Sequence, residues 1–357
     1  MARIDSFLRL VVEQQASDLH LHAGNVPLIR YQGDLVSLPF RKLTKLETRR
    51  FIYEILTPEQ QKEFEERQEL DFIYTLGTIG RFRANIFVQH HGLGSVFRVI
   101  PYRIPTIEEL LLPNVARKLI QHTNGLILVT GPTGSGKSTT LASLVAEINK
   151  TSQRHIITVE DPIEFIHEPI NSIVTQRQIG EHTKSFAEAL RSALRESPDV
   201  LVVGEMRDFE TVSLALTAAE TGILILGTLH TNSAAKAINR IIDLIPGESQ
   251  EQARGILSIL LRGVFAQRLC KRSDENGRIA LIEVLLNNYA VANMIRENKI
   301  HLLDGYLKSV NTAETGMQSM DQSIVRYIKE EVIEMTEGLK FADDPKHVQA
   351  LASQEME

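Results

Sequence analysis

The residues best suited to chemistry stand together in mid-chain and fit the pattern G-x-x-x-x-G-K-[ST]. They are Gly131, Pro132, Thr133, Gly134, Ser135, Gly136, Lys137 and Ser138, followed by Thr139. Glycines here let successive backbone N–H groups turn toward one anion, and the start of a following helix adds partial positive charge. In this pattern Lys137 reaches the β- and γ-phosphates and the Ser138 hydroxyl holds Mg²⁺. An ordinary glycine turn is the alternative, but a strand-like run before it and a helical run after it favour a nucleoside triphosphate site.

Polar residues also follow three other short apolar runs that read as buried parallel strands. These runs are residues 156–159, 200–203 and 223–227. Ligands of an open parallel sheet bind beyond the carboxyl ends of its strands, so these polar residues should converge on the glycine loop. Hydrolysis of a γ-phosphate needs a positioned water, and Glu164 and Glu205 are predicted to orient and polarise it. Glu160 and Asp161 are expected to act on Mg²⁺ through its waters, as is Glu205.

His230 follows the last of these runs. It is predicted to hydrogen-bond the γ-phosphate or the region of Glu205 and so to report the state of the nucleotide. A structural histidine is the alternative, and solvated strand-end residues are the alternative for the carboxylates.

Three arginines in the first hundred residues are candidates for stabilising transition-state charge. Arg81 and Arg83 alternate along one predicted strand and share a face, and Arg98 lies on another. An arginine supplied from another domain or subunit can stabilise a transferring phosphoryl group. A solvated strand face is the alternative. Arg195 and Arg207 are further candidates.

Size and composition limit the possible classes. A chain of 357 residues with 43% hydrophobic residues can bury more than one core, so two domains are expected. A net charge of -6 argues against a nucleic-acid binder driven by bulk charge. The single cysteine, Cys270, rules out an internal disulfide framework and a cysteine-based zinc site. Without a signal peptide pattern or an apolar run near transmembrane length, the protein is expected to be cytoplasmic, with no direct membrane insertion.

The hydrophobic pattern divides the chain into two parts and a connection. Residues 1–100 combine an amphipathic helix, charged helices and alternating strands, which predicts a small α+β domain. Residues 101–115 contain three prolines and read as a linker. Residues 116–357 alternate strands and helices, predicting an α/β domain with a parallel sheet, and read as helical after residue 247. The polar, acidic tail over residues 342–357 is expected to be loosely ordered. His20 and His22 share a strand face, where structural use is preferred over metal binding.

With these segments in place, the sequence resembles the secretion ATPases of the type II secretion and type IV pilus superfamily, and among them the pilus retraction ATPases. The resemblance covers nearly the whole chain. It runs through ASDLHLHAG, GRFRANIF, SVFRVIP, GPTGSGKSTT, ITVEDPIEFIH, PDVLVVGEMRD, GTLHTNSA and GMQSMDQSI. The last four boxes in this order are highly specific.

This resemblance implies a ring homohexamer that hydrolyses ATP with Mg²⁺ and drives pilus retraction. It implies a smaller N-terminal PAS-like α+β domain, a flexible linker and a C-terminal RecA-like P-loop NTPase domain with a helical C-terminal part. It implies that Glu164 and Glu205 are the catalytic pair and that arginines of the N-terminal domain point toward the nucleotide. Because Gly204 stands where an aspartate usually follows the strand, Mg²⁺ would rest chiefly on Ser138 and water-bridged carboxylates. The implied partner is an inner-membrane pilus platform protein, which would hold the motor peripherally at that membrane.

Two details bear on the subtype. Extension and secretion members carry a four-cysteine zinc insertion that one cysteine cannot build, which favours retraction. Retraction members carry a motif resembling AIRNLIREGK; residues 290–299 keep its frame but have Ala292 for the arginine and Asn298 for the glycine. A paralogue with another role in pilus or secretion dynamics is therefore the alternative.

Three other classes are less consistent with the residues. A guanine-specific switch needs an Asn-Lys-x-Asp box, and residues 149–152 lack the aspartate. A nucleic-acid translocase conflicts with the acidic balance, and no nucleic-acid partner is expected. A purely structural ring would not need Lys137, Ser138, Glu164 and Glu205 together.

Overall fold

The computed structural model describes residues 2–31, 33–100, 103–274 and 277–353. Within it the chain divides into two compact units, residues 1–103 and residues 104–357. Each unit has its own sheet and its own hydrophobic core.

The described part of the first unit is an antiparallel sheet of six strands in the order β3-β2-β1-β6-β5-β4, with helices packed on it. Its strands are β1 (Asp18–His22), β2 (Leu28–Tyr31), β3 (Asp34–Ser37), β4 (Glu69–Leu76), β5 (Gly80–Gln89) and β6 (Gly92–Ile100). Its helices are α1 (Asp5–Glu13), α2 (Lys45–Tyr53) and α3 (Pro58–Arg67). The predicted α+β character of this region is confirmed.

Local sequence explains the helices of the first unit. In α1 the residues Leu8 and Val11 are fully buried at helical spacing, and Ile4 just before it is buried as well. Helices α2 and α3 each begin with a capping box, at Thr44 and Thr57, in which side chain and backbone satisfy each other's hydrogen bonds. The two capping boxes therefore mark in the sequence where α2 and α3 begin.

The second unit contains a sheet of seven strands within its described residues, in the order β13-β12-β7-β11-β10-β8-β9. All neighbours are parallel except β12 and β13, which are antiparallel. The strands are β7 (Gly125–Thr130), β8 (His155–Glu160), β9 (Ile173–Gln178), β10 (Val200–Val203), β11 (Leu224–Leu229), β12 (Leu261–Lys271) and β13 (Arg278–Leu286). The four predicted strands are confirmed as β7, β8, β10 and β11, and β7, β10 and β11 are buried at every residue.

Helices cover both faces of this sheet, forming two separate hydrophobic clusters. They are α4 (Val115–Leu119), α5 (Lys137–Thr151), α6 (Phe186–Ala193), α7 (Phe209–Glu220), α8 (Ala234–Asp243), α9 (Gln250–Leu260), α10 (Tyr289–Arg296), α11 (Leu303–Ser309), α12 (Thr312–Thr315), α13 (Met320–Lys329), α14 (Met335–Gly338) and α15 (Pro345–Ser353). Helices α4 and α5 pack on one face, and α6 to α11 pack on the other. The result is a doubly wound α/β unit.

The prediction of helix after residue 247 is wrong at Leu261, where a strand begins. The helix α9 stops at Leu260, and the chain continues as β12 between β7 and β13. Leu257, Leu260, Leu261 and Val264 keep helical spacing across this boundary, and a strand buried on both faces shows no polar alternation to contradict it. The helical prediction after residue 247 therefore missed both β12 and β13.

The predicted loose tail is also wrong for its described part. Residues of α15 pack against α13, with Val348 and Ala352 at 0% and 1% exposure. The last four residues of that prediction, 354–357, lie outside the described residues. Cys270 is fully buried in the same cluster, and burial raises its pKa to about 11.

The predicted linker over residues 101–115 begins outside the described residues, at 101 and 102. From Ile104 onward the chain belongs to the second unit, where Ile107 and Leu112 pack with α4 and α5. Flexibility between the units remains a prediction.

None of the helices in the described residues has both the length and the apolar content needed to cross a membrane.

Candidate nucleotide site

The glycine loop connects the carboxyl end of β7 to the amino end of α5. Gly131, Gly134 and Gly136 have φ angles of 150°, 78° and 88°, a region that side chains with a Cβ rarely adopt. A Cβ on Gly131 would lie 2.3 Å from the main-chain oxygen of Gln267 on β12, so no larger residue fits there. Gly136 precedes α5, a helix of 15 residues whose first N–H groups have no partner within the helix and point toward the loop. The loop thus has the form of an anion cradle.

Lys137 is buried at the first position of α5, and its ammonium group turns back to the loop. Its Nζ donates to the carbonyl oxygens of Gly131 at 2.8 Å and Pro132 at 3.0 Å. Burial lowers the pKa of Lys137, and the charges of Glu205 and Glu164 act in the opposite direction. The structure therefore brings the predicted lysine and both predicted water-orienting carboxylates together.

The remaining loop residues differ in exposure. Ser135 is buried, and its hydroxyl has no hydrogen-bond partner among the described residues. The exposed positions are Pro132, Thr133, Gly134 and Ser138, and Thr139 is half-buried in the first turn of α5. The Ser138 hydroxyl is thus available on the side where a triphosphate would enter.

Glu205 follows β10 and lies between two partners. His230 Nε2 is 3.0 Å from Glu205 Oε1, and Arg207 Nη2 donates to Glu205 Oε2 at 2.5 Å. Burial raises the pKa of Glu205, but the hydrogen bonds and charges of Arg207 and His230 outweigh it and hold the pKa below its usual range. An ionised carboxylate accepts hydrogen bonds, which is the property needed to orient a water molecule.

The strand ends around Glu205 explain why a glycine precedes it. A Cβ on Gly204 would lie 2.9 Å from the carbonyl oxygen of Val159 on the neighbouring β8, so an aspartate would not fit. The Thr228 hydroxyl donates to the carbonyl of Gly204 at 2.5 Å, and the Met206 N–H donates to the carbonyl of Thr228 at 3.0 Å. These bonds fix Glu205 between β10 and β11.

The acidic segment, residues 160–167, leaves the end of β8. Glu160 accepts hydrogen bonds from Thr158 Oγ1 at 2.7 Å and from Gln176 Nε2 at 3.1 Å. Burial raises the pKa of Glu160, and the nearby charge of Glu164 raises it further. Asp161 adds its charge to that of Glu205 in raising the pKa of Arg207. Glu160 is therefore held by neighbours inside the protein, whereas Asp161 lies on the side of Glu205.

Two glutamines of β9 hold the acidic segment. Gln176 Nε2 also donates to the carbonyl of Phe165 at 2.8 Å, and its Oε1 accepts from the N–H of His167 at 2.8 Å. Gln178 Oε1 accepts from the N–H of Ile163 at 3.0 Å. The backbone on both sides of Glu164 is thus attached to β9.

Sequence reasoning missed Gln176 and Gln267, because neither β9 nor β12 was predicted. For Gln267 the available signal was a glutamine within a short apolar run, which indicates a buried amide with polar partners but does not identify those partners. The run around Gln267 reads Gly-Val-Phe-Ala-Gln-Arg-Leu-Cys.

The three N-terminal candidate arginines lie in the first unit, on the side of its sheet that faces away from the core residues Phe82 and Phe97. Arg83 and Arg98 are paired across β5 and β6 and are exposed, and Arg81 is half-buried. Arg98 Nε donates to Oδ1 of the buried Asp18 at 2.8 Å. Arg98 therefore has a structural partner within its own unit.

His20 and His22 also lie in the first unit. Their rings are stacked at 6.0 Å between centroids, with planes 16° apart, which does not aim two nitrogens at one ion. Among the described residues, no group of three or more His, Cys, Asp or Glu side chains is arranged to hold a metal ion.

The residues present fit a nucleotide with its magnesium. Backbone N–H groups at the start of a helix, a buried lysine and a cradle that a Cβ would fill suit phosphate groups. Ser138 offers a hydroxyl ligand, and Mg²⁺ in such sites takes few protein ligands beside phosphate oxygens and water. Glu205 lies near enough to Lys137 for its charge to oppose the lowering of that lysine's pKa by burial.

Comparison with known proteins is consistent with this arrangement. The family described as Type II/IV secretion system protein matches residues 2–334. The type IV pilus retractation ATPase PilT of Pseudomonas aeruginosa is 44% identical over 344 residues, covering 96% of this chain and 99% of that protein. A twitching motility protein of Neisseria gonorrhoeae is 46% identical over 328 residues, 92% of this chain and 87% of that protein. A crystal structure of the pilus retraction motor PilT with bound ADP matches with a TM-score of 0.87 and 43% identity, covering 98% of this chain and 100% of that chain.

The fold and the site define a doubly wound α/β protein with a phosphate-binding loop and carboxylates at the neighbouring strand ends. The chain belongs to the Type II/IV secretion system protein family. The predicted resemblance is confirmed, as is the predicted fold class of a RecA-like α/β unit with a smaller N-terminal unit.

Proposed function

We propose that this chain is an ATP-hydrolysing motor that powers type IV pilus retraction, the depolymerisation of pilins that produces twitching motility. The observation that carries the proposal is the contact of Glu205 with His230 beside the lysine of the glycine loop. The sequence identity of 44% to PilT of Pseudomonas aeruginosa, over 96% of this chain, supports the proposal.

The reaction is hydrolysis of the γ-phosphate of ATP. The loop residues 131–139 bind the phosphates, and Lys137 leaves its loop carbonyls to contact the β- and γ-phosphates. Ser138 would hold Mg²⁺, with Glu160, Asp161 and Glu205 contacting its waters, and the ion would supply charge neutralisation. Glu205 and Glu164 orient the attacking water, and His230 links the position of Glu205 to the γ-phosphate.

The active form in this proposal is a homohexamer of chains built from a PAS-like unit, a linker and a RecA-like unit. Arg81, Arg83 and Arg98 then reach a nucleotide from the first unit and stabilise transition-state charge. For Arg98 this requires breaking its salt bridge to Asp18. The Arg98 side chain is 63% exposed, so breaking this salt bridge costs little free energy. Hydrolysis changes how the two units pack, and that motion is the working stroke.

The hexamer is proposed to act at the cytoplasmic side of the inner membrane, where it binds a pilus platform protein. The adenine is proposed to lie near residues 103–113.

The alternative is a paralogue of the retraction motor with another role, because Ala292 and Asn298 depart from the retraction motif. Asn298 follows α10 with φ at 58°, the left-handed conformation that glycine favours after a helix. Among residues with a side chain, asparagine is one of the few that tolerate this conformation, so the backbone of the motif is preserved. Ala292 is half-buried in α10 and removes the charge of the arginine.

The decisive experiment is a deletion strain scored for retraction and complemented with the wild-type gene or with the Lys137→Ala variant. Loss of twitching with excess surface pili, restored by wild type but not by the variant, is expected. Normal retraction in the deletion strain, together with ATPase activity of the purified protein, would select the paralogue.

A further inference from the structure

The strand β12 lies beside β7 on the side of the sheet away from the catalytic carboxylates. In their register Ala266 pairs with Thr130, the last residue of β7. Gln267 therefore stands beside Gly131, where the glycine loop begins. It is 1% exposed, although its side chain is polar.

The side-chain amide of Gln267 makes two hydrogen bonds to the loop and its helix. Its Nε2 donates to the carbonyl oxygen of Ser135 at 2.6 Å, and its Oε1 accepts from the Thr140 hydroxyl at 3.0 Å. The Ser135 carbonyl can only accept, which fixes the orientation of the amide. A Cβ on Gly136 would lie 3.2 Å from Nε2, a tight contact, and the φ angle of 88° at this position favours glycine as well.

These bonds determine where a loop N–H points. In a trans peptide the carbonyl oxygen and the N–H of the next residue point in opposite directions. Because Gln267 holds the carbonyl of Ser135 toward β12, the N–H of Gly136 is directed away from β12. The bond to Thr140 fixes the first turn of α5 relative to that peptide.

We propose that Gln267 is a positioning residue for nucleotide binding, which holds the loop in its phosphate-binding conformation from the side of β12. It contacts no nucleotide itself and acts through the Ser135–Gly136 peptide and Thr140. This inference rests on the proposed nucleotide binding.

The test compares Gln267→Leu with Gln318→Leu. Gln318 is also a buried glutamine, and its Nε2 donates to the carbonyl of Ile282 at 2.7 Å, on β13 rather than on the loop. Two quantities are measured for wild type and both variants. One is the dissociation constant of the protein for a fluorescent ADP analogue in the presence of Mg²⁺, and the other is the melting temperature.

The dissociation constant of the Gln267 variant should rise by about tenfold or more, because a buried carbonyl and hydroxyl lose their partner at the binding loop. The Gln318 variant should bind within about twofold of wild type, with a comparable loss of melting temperature. An unchanged constant in Gln267→Leu, or equal weakening in both variants, would overturn the proposal. Wild-type protein that binds no nucleotide would instead overturn the proposed function.

If Gln267→Leu does not fold, the Gln267→Glu variant is tested instead, because glutamate has nearly the same side-chain volume as glutamine. An ionised glutamate cannot donate to the Ser135 carbonyl, whereas a protonated one can. Its affinity relative to wild type should therefore recover as the pH falls from 8 toward 6, since burial favours the protonated form. A constant ratio across this range contradicts the positioning role.

Discussion

The glycine loop and the acidic segment both border the candidate site, but they are held by different kinds of contact. The loop is attached to β12 through Gln267, which is 1% exposed, and Thr140, which is 3% exposed. The acidic segment is attached to Gln176 and Gln178 of β9, an edge strand whose glutamines are half-buried. Breaking a fully buried hydrogen bond costs about 1–3 kcal/mol, and water can replace a partner at an accessible position.

This difference separates two functions. In the proposed mechanism the loop wall, which consists of backbone groups, Lys137 and Ser138, serves binding. The second wall consists of the ionisable side chains of Glu205, Arg207 and His230, which contact one another, and serves turnover. Changes at β12 should therefore alter nucleotide affinity, and changes around Glu205 and β9 should alter the rate at similar affinity. The following variants test that separation, from the largest expected effect on turnover to the smallest.

The largest effect is expected for Glu205→Gln. The amide keeps the size of the side chain but lacks the ionised acceptor that orients water, so kcat should fall by roughly 100-fold or more. Binding of the fluorescent ADP analogue should stay within about threefold, since the loop is untouched. Steady-state ATPase kinetics and nucleotide titration measure the two quantities.

The matched control is Glu210→Gln, which removes an exposed carboxylate of α7 that pairs with Arg191. It should retain wild-type kinetics. Near wild-type hydrolysis by Glu205→Gln would exclude Glu205 from the mechanism and remove the distinction between the two walls.

A smaller effect is expected for Gln176→Leu, which frees Phe165 and His167 from β9 and removes one of the hydrogen bonds that Glu160 accepts. Less exact placement of Glu164 should lower kcat by about tenfold at unchanged ADP affinity. The control is Gln61→Leu, whose amide donates to the carbonyls of Tyr53 and Leu56 in the first unit. Loss of affinity rather than rate in Gln176→Leu would show that the acidic segment also supports binding.

The sequence predicts the binding wall well because residue identity determines the backbone there. Gly131, Gly134 and Gly136 all adopt conformations that glycine favours, so a pattern of letters specifies the geometry of the loop. Glu205 and His230 were placed near each other because parallel strands bring their carboxyl ends to one edge of the sheet. Local chemistry and one topological rule were sufficient for these residues.

The supporting glutamines could not be predicted in the same way. Gln267 lies 132 residues from Ser135 along the chain, and its strand continues the helical spacing of Leu257 and Leu260. Recognising it requires the pairing of β12 with β7, which no local pattern specifies. Likewise, the pairing of Arg98 with Asp18 follows from the register of β6 on β1.

Removal of Arg207 should change the pH dependence of turnover more than its maximum. Arg207 helps to hold the pKa of Glu205 below its usual range, so Arg207→Ala raises that pKa. Because the ionised form orients water, the acidic limb of the kcat profile should move to higher pH. At pH 8 kcat should stay within about threefold, since the Arg207 side chain is mostly exposed. Arg191→Ala is the control, and an unmoved acidic limb would contradict the role of Arg207.

The smallest effect on turnover is expected for Glu283→Gln. This variant instead tests what stabilises the start of α8, the helix that follows His230 in the chain. Glu283 is 4% exposed and accepts from the N–H of Ala234 at 2.7 Å, at the start of α8. Burial raises its pKa to about 7, the charges of Asp304 and Asp343 add to this, and Arg268 opposes it. Between pH 4.5 and about 7 the unfolded chain releases a proton that the folded chain keeps, so the free energy of unfolding falls as the pH rises.

The glutamine variant has no such proton and keeps an acceptor for Ala234. Relative to wild type it should therefore gain stability between pH 5 and pH 8, by at most about 3 kcal/mol, with kcat within about twofold at neutral pH. Urea unfolding at the two pH values measures the change, with Glu314→Gln on the exposed α12 as the control. Equal pH dependence of stability in wild type and Glu283→Gln would mean that Glu283 is ionised in the folded protein. A charged carboxylate would then hold the start of α8. The His230 side of the site would be stabilised by charged groups, whereas the glycine loop is held by the neutral amide of Gln267.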